Sequence, residues 1–419
     1  MTVSKELAST PSEQTGAPPV HPPPDGGLLA WLQVAGGFCL AFNTWGLLNT
    51  FGVFQSHYHD TFMHSESSSK VAWIGSLQSC MLLLVSMFTG PLFDKGHVRL
   101  LLCFGTYLVV FGMMMTSLAS QFYQVLLSQG LCVGIGAGLL YLPSVATCAT
   151  YFSQKRGIAI GLVTAGSSVG GTIYPIMLHR LLPTLHFPWT TRVMGFLALG
   201  SLALPVAALK QRIHPATRRA FSLQALKEPA FALFCLGNCF SFMGLYVPYL
   251  YITDYARSKA GMSQDLAFYM LPIINGSTII GRLIPNFLGD KLGPLNTFLP
   301  FIFSSAVLAF AWIGIENAAG VIAFTVLYGT CSGAIVSVPS AVIARLTPNL
   351  HEVGTRMGIS YLFQGIGVLI GTPIAGAIIN LETAYFLPAQ VYCGALLSVS
   401  TAFMLSSRVA CSRHLLYIT

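Results

Sequence analysis

The stretch FYQVLLSQGLCVGIGAGLLYLPSVATCA at 122–149 runs for 28 residues without one Asp, Glu, Lys or Arg. As a helix rising 1.5 Å per residue it reaches about 42 Å, more than the ~30 Å of hydrocarbon in a bilayer. Part of it, AGLLYLPS at 137–144, returns as GAIVSVPS at 333–340, so Pro143 and Pro339 stand 196 positions apart. Working outward, FDKG at 93–96 pairs with GDKLG at 289–293, and Asp94 and Asp290 also differ by 196. Gly171-Thr172 and Gly371-Thr372 recur at an offset of 200. Three matches in one order at nearly one spacing argue for a duplicated unit.

The rest of the chain repeats the same texture. Charged residues are 8% of its 419 positions, where a soluble domain carries roughly 25%. Apolar residues are 54% and mean hydropathy is +0.69, so most of the surface must face something other than water. Apolar runs predict helices over 28–55, 71–92, 99–118, 122–149, 157–180 and 191–210, then 229–254, 265–289, 295–314, 318–346, 357–380 and 384–407. The expected fold is an all-α membrane protein with twelve transmembrane helices in two pseudo-symmetric six-helix bundles, 28–210 and 229–407. Residues 1–27, with five prolines between Pro18 and Pro24, read as a disordered cytoplasmic tail. Residues 211–228 read as a cytoplasmic linker whose FSLQALKEP lies on the membrane surface, and 408–419 as a short cytoplasmic tail. No cleavable signal peptide is legible.

Net charge is +8, but the basic residues are dispersed between apolar runs, which argues against nucleic acid as a partner. With a cytoplasmic N-terminus, 15 Lys and Arg fall on the cytoplasmic side and 5 on the other, leaving Arg282 within a helix. That asymmetry predicts both termini inside, with the plasma membrane as the default location. The ten cysteines sit mostly within apolar runs and lack CxxC spacing, so they read as small hydrophobes with no metal or disulfide framework. No cofactor is expected.

Parallel six-helix repeats are the build of major facilitator transporters, with substrate held between the halves near the midplane. Two segments resemble the monocarboxylate-porter family of that superfamily, in its fungal branch. PDGGLLAW at 24–31 is similar to the signature opening the first helix, matching at Asp25, Gly26, Gly27 and Trp31, with one extra residue before Trp31 and Leu28 in place of an aromatic. YFSQKRGIAIGLVTAGSSVG at 151–170 resembles the signature between helices four and five, in register at Lys155, Arg156, Gly161, Ala165, Gly166 and Gly170 among others. The resemblance covers nearly the whole chain from Asp25.

These residues also have a physical reading. Asp94, Lys95 and Arg99 in GPLFDKGHVR, with Asp290 and Lys291 in the second half, read as a conformational latch that Lys155 and Arg156 could partner. The plain alternative is a solvated loop obeying charge bias. Glycines at 161, 166, 170 and 171 read first as sites of close helix packing. Arg282 lies eight residues, ~12 Å of helix, before Asp290 and so near the midplane. An arginine there is costly and should face a watery cavity with a partner. The resemblance assigns an arginine at this place to the substrate carboxylate, which its planar fork grips at two points. The alternatives are snorkelling or pairing with a backbone carbonyl. Two departures stand out: proton-coupled members place an aspartate where this chain has Thr278, and a lysine where it has Asn49. Proton coupling is therefore not implied. Asn43, Gln78, Asn238 and Gln364 read as interhelical hydrogen-bonders, and Asn49, Asn275 and Tyr141 as cavity candidates. The acceptor triplet Asn275-Gly-Ser277 falls inside a helix, where glycosylation is meaningless.

The leading expectation is a carrier of a small organic solute (an organic acid, vitamin-like compound or secondary metabolite) working by alternating access. Import and export both fit. A sensor on the same fold is expected to carry a long signalling tail, which the short run after the last helix disfavours. HExxH, GxSxG and phosphate-loop motifs are absent, so neither an enzyme nor an ATP-driven pump is expected. Coupling ion and oligomeric state are not legible.

Overall fold

In hydrocarbon every backbone N–H and C=O must be satisfied within the protein, so a chain this apolar has helices as its natural solution. The computed structural model describes residues 24–61, 63, 66–152, 155–212, 223–347, 353–381 and 383–411. Among them, eleven helices are long and apolar enough to cross a membrane. The first four are α1 (Leu28–Asp60), α2 (Ser68–Phe93), α3 (Val98–Thr116) and α4 (Phe122–Cys148). Next comes a 52-residue helix, Gly157–Ala208, that is two spans in one. His186, between Pro183 and Pro188, has φ 56° and ψ 170° and breaks it into α5 (157–185) and α6 (187–208). The second half supplies α7 (Pro229–Ser258), α8 (Gln264–Gly289), α9 (Pro294–Gly314), α10 (Ala318–Ile343), α11 (Thr355–Ile378) and α12 (Leu387–Cys411). Twelve crossings result, as the apolar runs predict.

Details depart from the sequence reading at the ends. α1 continues to Asp60, turning at Thr44 and Thr50, whose hydroxyls bond back to Leu40 and Gly46 carbonyls at 2.9 and 2.8 Å. The connection expected near 181–190 is helical except at His186, and α12 runs to Cys411 rather than 407. Of the predicted surface helix, Leu223–Lys227 forms a 3-10 turn; its first residues and most of both tails lie outside the described residues.

The duplication is visible atom by atom. A Cβ placed on Gly166 or Gly170 of α5 would lie 2.3 Å from the carbonyl oxygens of Phe38 and Phe42 in α1. In the second half, a Cβ on Gly367 or Gly371 of α11 would lie 2.3 and 2.4 Å from the oxygens of Cys239 and Met243 in α7. All four residue pairs are related by one offset of 201. The structural counterpart of Gly371 is thus Gly170, one residue from the Gly171 that sequence comparison pairs with it. Small residues let these helix backbones touch, which is the packing role expected of them.

Three helix pairs form the seam between halves. α2 lies against α11, where Ser69 Oγ donates to the Pro373 carbonyl at 2.9 Å and the Ser76 and Thr372 hydroxyls meet. α5 lies against α8, with His179 Nε2 3.2 Å from Asp265 and Arg180 donating to the Tyr269 hydroxyl at 2.6 Å. α1 meets α7 where a Cβ on Gly52 would lie 2.6 Å from the Tyr249 carbonyl. These contacts lie toward the face opposite the one that carries Leu28 and Cys411, and they close the seam there. Large side chains such as Phe88, Leu100, Phe104, Tyr107 and Phe303 point outward, as a lipid-facing surface requires.

Candidate substrate-binding site

α8 carries Arg282 into the seam. The residue is 2% exposed, and its Nη1 donates to the Thr164 carbonyl of α5 at 2.9 Å. This is the backbone pairing foreseen as an alternative, yet a guanidinium has five N–H donors, and Nε is buried without a protein partner. One turn earlier, the Thr278 hydroxyl meets Ser168 of α5 at 2.6 Å and donates to the Asn275 carbonyl. Thr278 therefore ties two helices where a carboxylate would have balanced the arginine.

Two further predicted residues meet nearby. A Cβ on Gly171 would lie 2.7 Å from Asn275 Oδ1 and 3.1 Å from Asn49 Cβ, so α5, α8 and α1 converge at this glycine. Asn275 donates to its own helix at the Leu271 carbonyl, and its Oδ1 has no partner. Asn275 is fully buried, which rules out the acceptor triplet as a glycan site. Asn43 has a structural role instead, bonding Ser201 at 2.8 Å and Tyr174 at 2.6 Å, and Asn238 donates to Ser360 at 3.2 Å.

Tyr141, the fourth predicted residue, belongs to a chain of rings that crosses the seam. Its ring lies 5.6 Å from Trp45 of α1 and 5.9 Å from Tyr361 of α11. Trp45 reaches Phe242 of α7 at 6.5 Å, and the chain continues through Tyr246 and Tyr249 at 6.2 and 5.6 Å. Arg282 is close enough to Tyr141, Tyr246 and Tyr249 to act on all three electrostatically. The Tyr246 hydroxyl and Trp45 Nε1 are buried without partners. Ring faces offer flat apolar contact, and the free N–H and O–H groups offer directed polar contact. Trp45, Phe242, Tyr246, Tyr249 and Tyr361 were missed in the sequence, because an aromatic in an apolar run reads equally as core or lipid contact.

A sequence profile described as Major Facilitator Superfamily matches residues 34–322 and 286–409, most of the chain. This chain belongs to the major facilitator superfamily. Its relatives include the MFS-type transporter dbaD of Emericella nidulans, 44% identical over 89% of this chain and 84% of that protein. The aspyridones efflux protein of the same fungus is 38% identical over 90% and 77% of the two chains. The agnestins efflux protein of Paecilomyces divaricatus is 35% identical over 84% and 81%. The protein is thus a major facilitator transporter with fungal relatives.

In this facilitator the two signature segments meet in space. The Asp25 N–H donates to the Tyr151 carbonyl at 3.2 Å, and Trp31 sits edge-on to Phe152 at 5.3 Å. Gly27 has φ 85° where the chain turns into α1, while Gly26 has no neighbour that a side chain would strike. Ala165 is buried in α5, and a Cβ on Gly161 would stand 3.0 Å from Leu283 of α8. Of the expected latch, Lys95, Arg99, Lys155 and Lys291 are exposed, and Lys291 lies over the Phe287 ring at 5.0 Å. The side chains of Asp94, Arg156 and Asp290 lie outside the described residues. Arg356, at the start of α11, makes an ion pair that the sequence did not single out. It is 3% exposed, bonds both carboxylate oxygens of Glu228 just before α7, and stacks over Phe231 at 5.3 Å.

Proposed function

We propose that this facilitator exports a small, flat organic anion, a fungal secondary metabolite, across the plasma membrane with both termini in the cytoplasm. The observation that carries the reading is Arg282, buried in the seam with one bonded and one unpartnered nitrogen beside rings from both halves. A conjugated ring system bearing a carboxylate or an ionised enol would stack on Tyr141, Trp45 or Tyr246 and turn its charge toward Arg282. Asn275 Oδ1 would accept from its hydroxyl groups, and Asn49 would bond its other neutral oxygens. Export is favoured over import by two relatives that are named efflux proteins. The 15-to-5 basic asymmetry supports the orientation. The signature segments support placement in the monocarboxylate-porter branch, with Thr278 and Asn49 replacing the charges of its proton-coupled members. Asp94, Lys155 and Arg156 are proposed to latch the cytoplasmic side, with Asp290 and Lys291 as their repeat.

The test uses purified protein in liposomes, loaded with a panel of aromatic carboxylates, ionisable enols and neutral aromatics, with and without a pH gradient. Release of aromatic anions in preference to neutral analogues of equal size is expected. Equal transport of neutral analogues would sink the role of Arg282 in recognition. Gradient-driven accumulation would establish proton coupling at a site other than Thr278.

A further inference from the structure

On the lipid-facing side of the first half, α3 and α6 part to leave a groove of about 610 Å³. Tyr107, Phe111 and Met114 of α3 line one side, and Ala203 and Val206 of α6 the other. The groove continues along α3 past Cys103 and Phe104 to Arg99. The rings of Phe104, Tyr107 and Phe111 stack in a row along it, with centroids 6.3 and 5.6 Å apart and planes 22° and 15° apart. All three rings are exposed. From Arg99 to Met114 is 15 residues, about 22 Å of helix, where one leaflet of a ~30 Å hydrocarbon layer is about 15 Å deep. The groove is therefore long enough to take an acyl chain through a whole leaflet.

One end of the groove is charged, and it lies at the face that carries Leu28 and Cys411. Arg99 stands at its mouth, Lys95 lies four residues earlier, and Lys210 follows the end of α6, four residues beyond Val206. Gln211 donates to the Phe93 carbonyl at 2.9 Å, which sets Lys210 beside the loop that bears Lys95. All three cations are exposed, and among the described residues none of their side chains has a hydrogen bond or ion pair. Arg99 and Lys95, read in the sequence as parts of a latch, thus point to an anion from outside the protein. A basic site at the membrane surface beside an apolar slot between helices suits a lipid with a net negative headgroup. A sterol would fill the slot and leave the cations unpaired, and a zwitterionic phospholipid would bring its own cation against them.

We propose that the α3–α6 groove binds an anionic phospholipid, with one acyl chain along Tyr107 and Phe111 and the headgroup on Arg99, Lys95 and Lys210. The planar guanidinium holds phosphate through two N–H groups, and the lysines add charge without fixed geometry. Each cation near the membrane surface strengthens binding of an anionic lipid about fivefold. The bound chain touches both α3 and α6, so the lipid stabilises the folded first half by mass action. The site lies outside the seam and is independent of the substrate proposed above.

The test is native mass spectrometry of delipidated full-length protein in detergent. Palmitoyl-oleoyl phosphatidylserine and phosphatidylcholine, which share their chains, are added singly and in competition. The wild type is expected to favour phosphatidylserine about fivefold or more. Arg99→Gln should cut that preference about fivefold, and Arg99→Lys should keep most of it. Ala203→Phe, at an exposed position, fills the groove and should weaken binding of both lipids. Soluble glycerophosphoserine, which has the headgroup without chains, should not displace the bound lipid. Equal binding of the two lipids, an Arg99→Gln preference equal to wild type, or displacement by glycerophosphoserine would overturn the proposal. So would a sterol that displaces phosphatidylserine, or a lipid-free dimer that Ala203→Phe abolishes, since each gives the groove another occupant.

Discussion

Arg282 shows how far one residue can be read. An arginine inside an apolar run is expensive wherever it sits, so its place in the chain is enough to single it out. Its donation to the Thr164 carbonyl depends on the docking of α5 against α8, since the two residues are 118 positions apart. The two remaining roles, helix fastening and substrate binding, separate by mutation. Arg282→Lys keeps the charge and can still reach one acceptor; Arg282→Gln loses the charge. A charged hydrogen bond contributes about 1.5–3 kcal/mol, so Arg282→Gln should weaken apparent affinity for an anionic solute at least about tenfold. Arg282→Lys should lose less, and both should reach the membrane in normal amounts. Efflux kinetics against surface abundance decide it, and unchanged affinity in Arg282→Gln would assign the residue to structure alone. Tyr246 offers a finer test. Its hydroxyl is unpartnered, so Tyr246→Phe should leave thermal stability unchanged or raised while reducing affinity for solutes that carry an acceptor oxygen.

At the scale of elements, glycine spacing and an ion pair between a buried arginine and a half-exposed glutamate govern how helices meet. Glycines at 166 and 170 share one face of α5 by their spacing alone, but spacing does not say which helix they meet. That partner is α1, through the Phe38 and Phe42 carbonyls. Gly166→Ala places a methyl 2.3 Å from a backbone oxygen that cannot swing aside. The two helices must part, at a cost of about 1–3 kcal/mol. Thermal unfolding in detergent should fall by several degrees, whereas Gly26→Ala, with open space around it, should not change. The Arg356–Glu228 contact belongs here too, because it pins the start of α11 to the start of α7. Arg356's hydrogen bonds hold the Glu228 carboxyl below the usual carboxylate range. A carboxyl shifted down adds stability above its unfolded value, near pH 4.3, and loses it as pH falls through the lowered folded value. Acid unfolding of Glu228→Gln should therefore lack this part of the wild-type slope, and identical acid profiles would show the pair contributes nothing.

For the whole molecule, the seam is the moving part. Ser76 and Thr372 touch across α2 and α11, so cysteines at both positions should form a disulfide that joins the halves. If the halves must rock, oxidation should abolish transport and reduction should restore it; undiminished transport by the oxidised pair would mean this seam does not open. Twelve crossings, their order and the duplication were legible in the sequence, because a bilayer imposes a length and an apolarity that each span must satisfy by itself. What required tertiary structure was everything made between spans. The rings of Tyr361, Tyr141, Trp45, Phe242 and Tyr246 come from four helices, and each alone is indistinguishable from an ordinary apolar contact. Asp60 and Asp254, 194 positions apart, reach one cavity only because α1 and α7 pack together. Apolarity is a local property of the chain and can be read from it, whereas the site depends on contacts between residues up to 220 positions apart, which only packing creates.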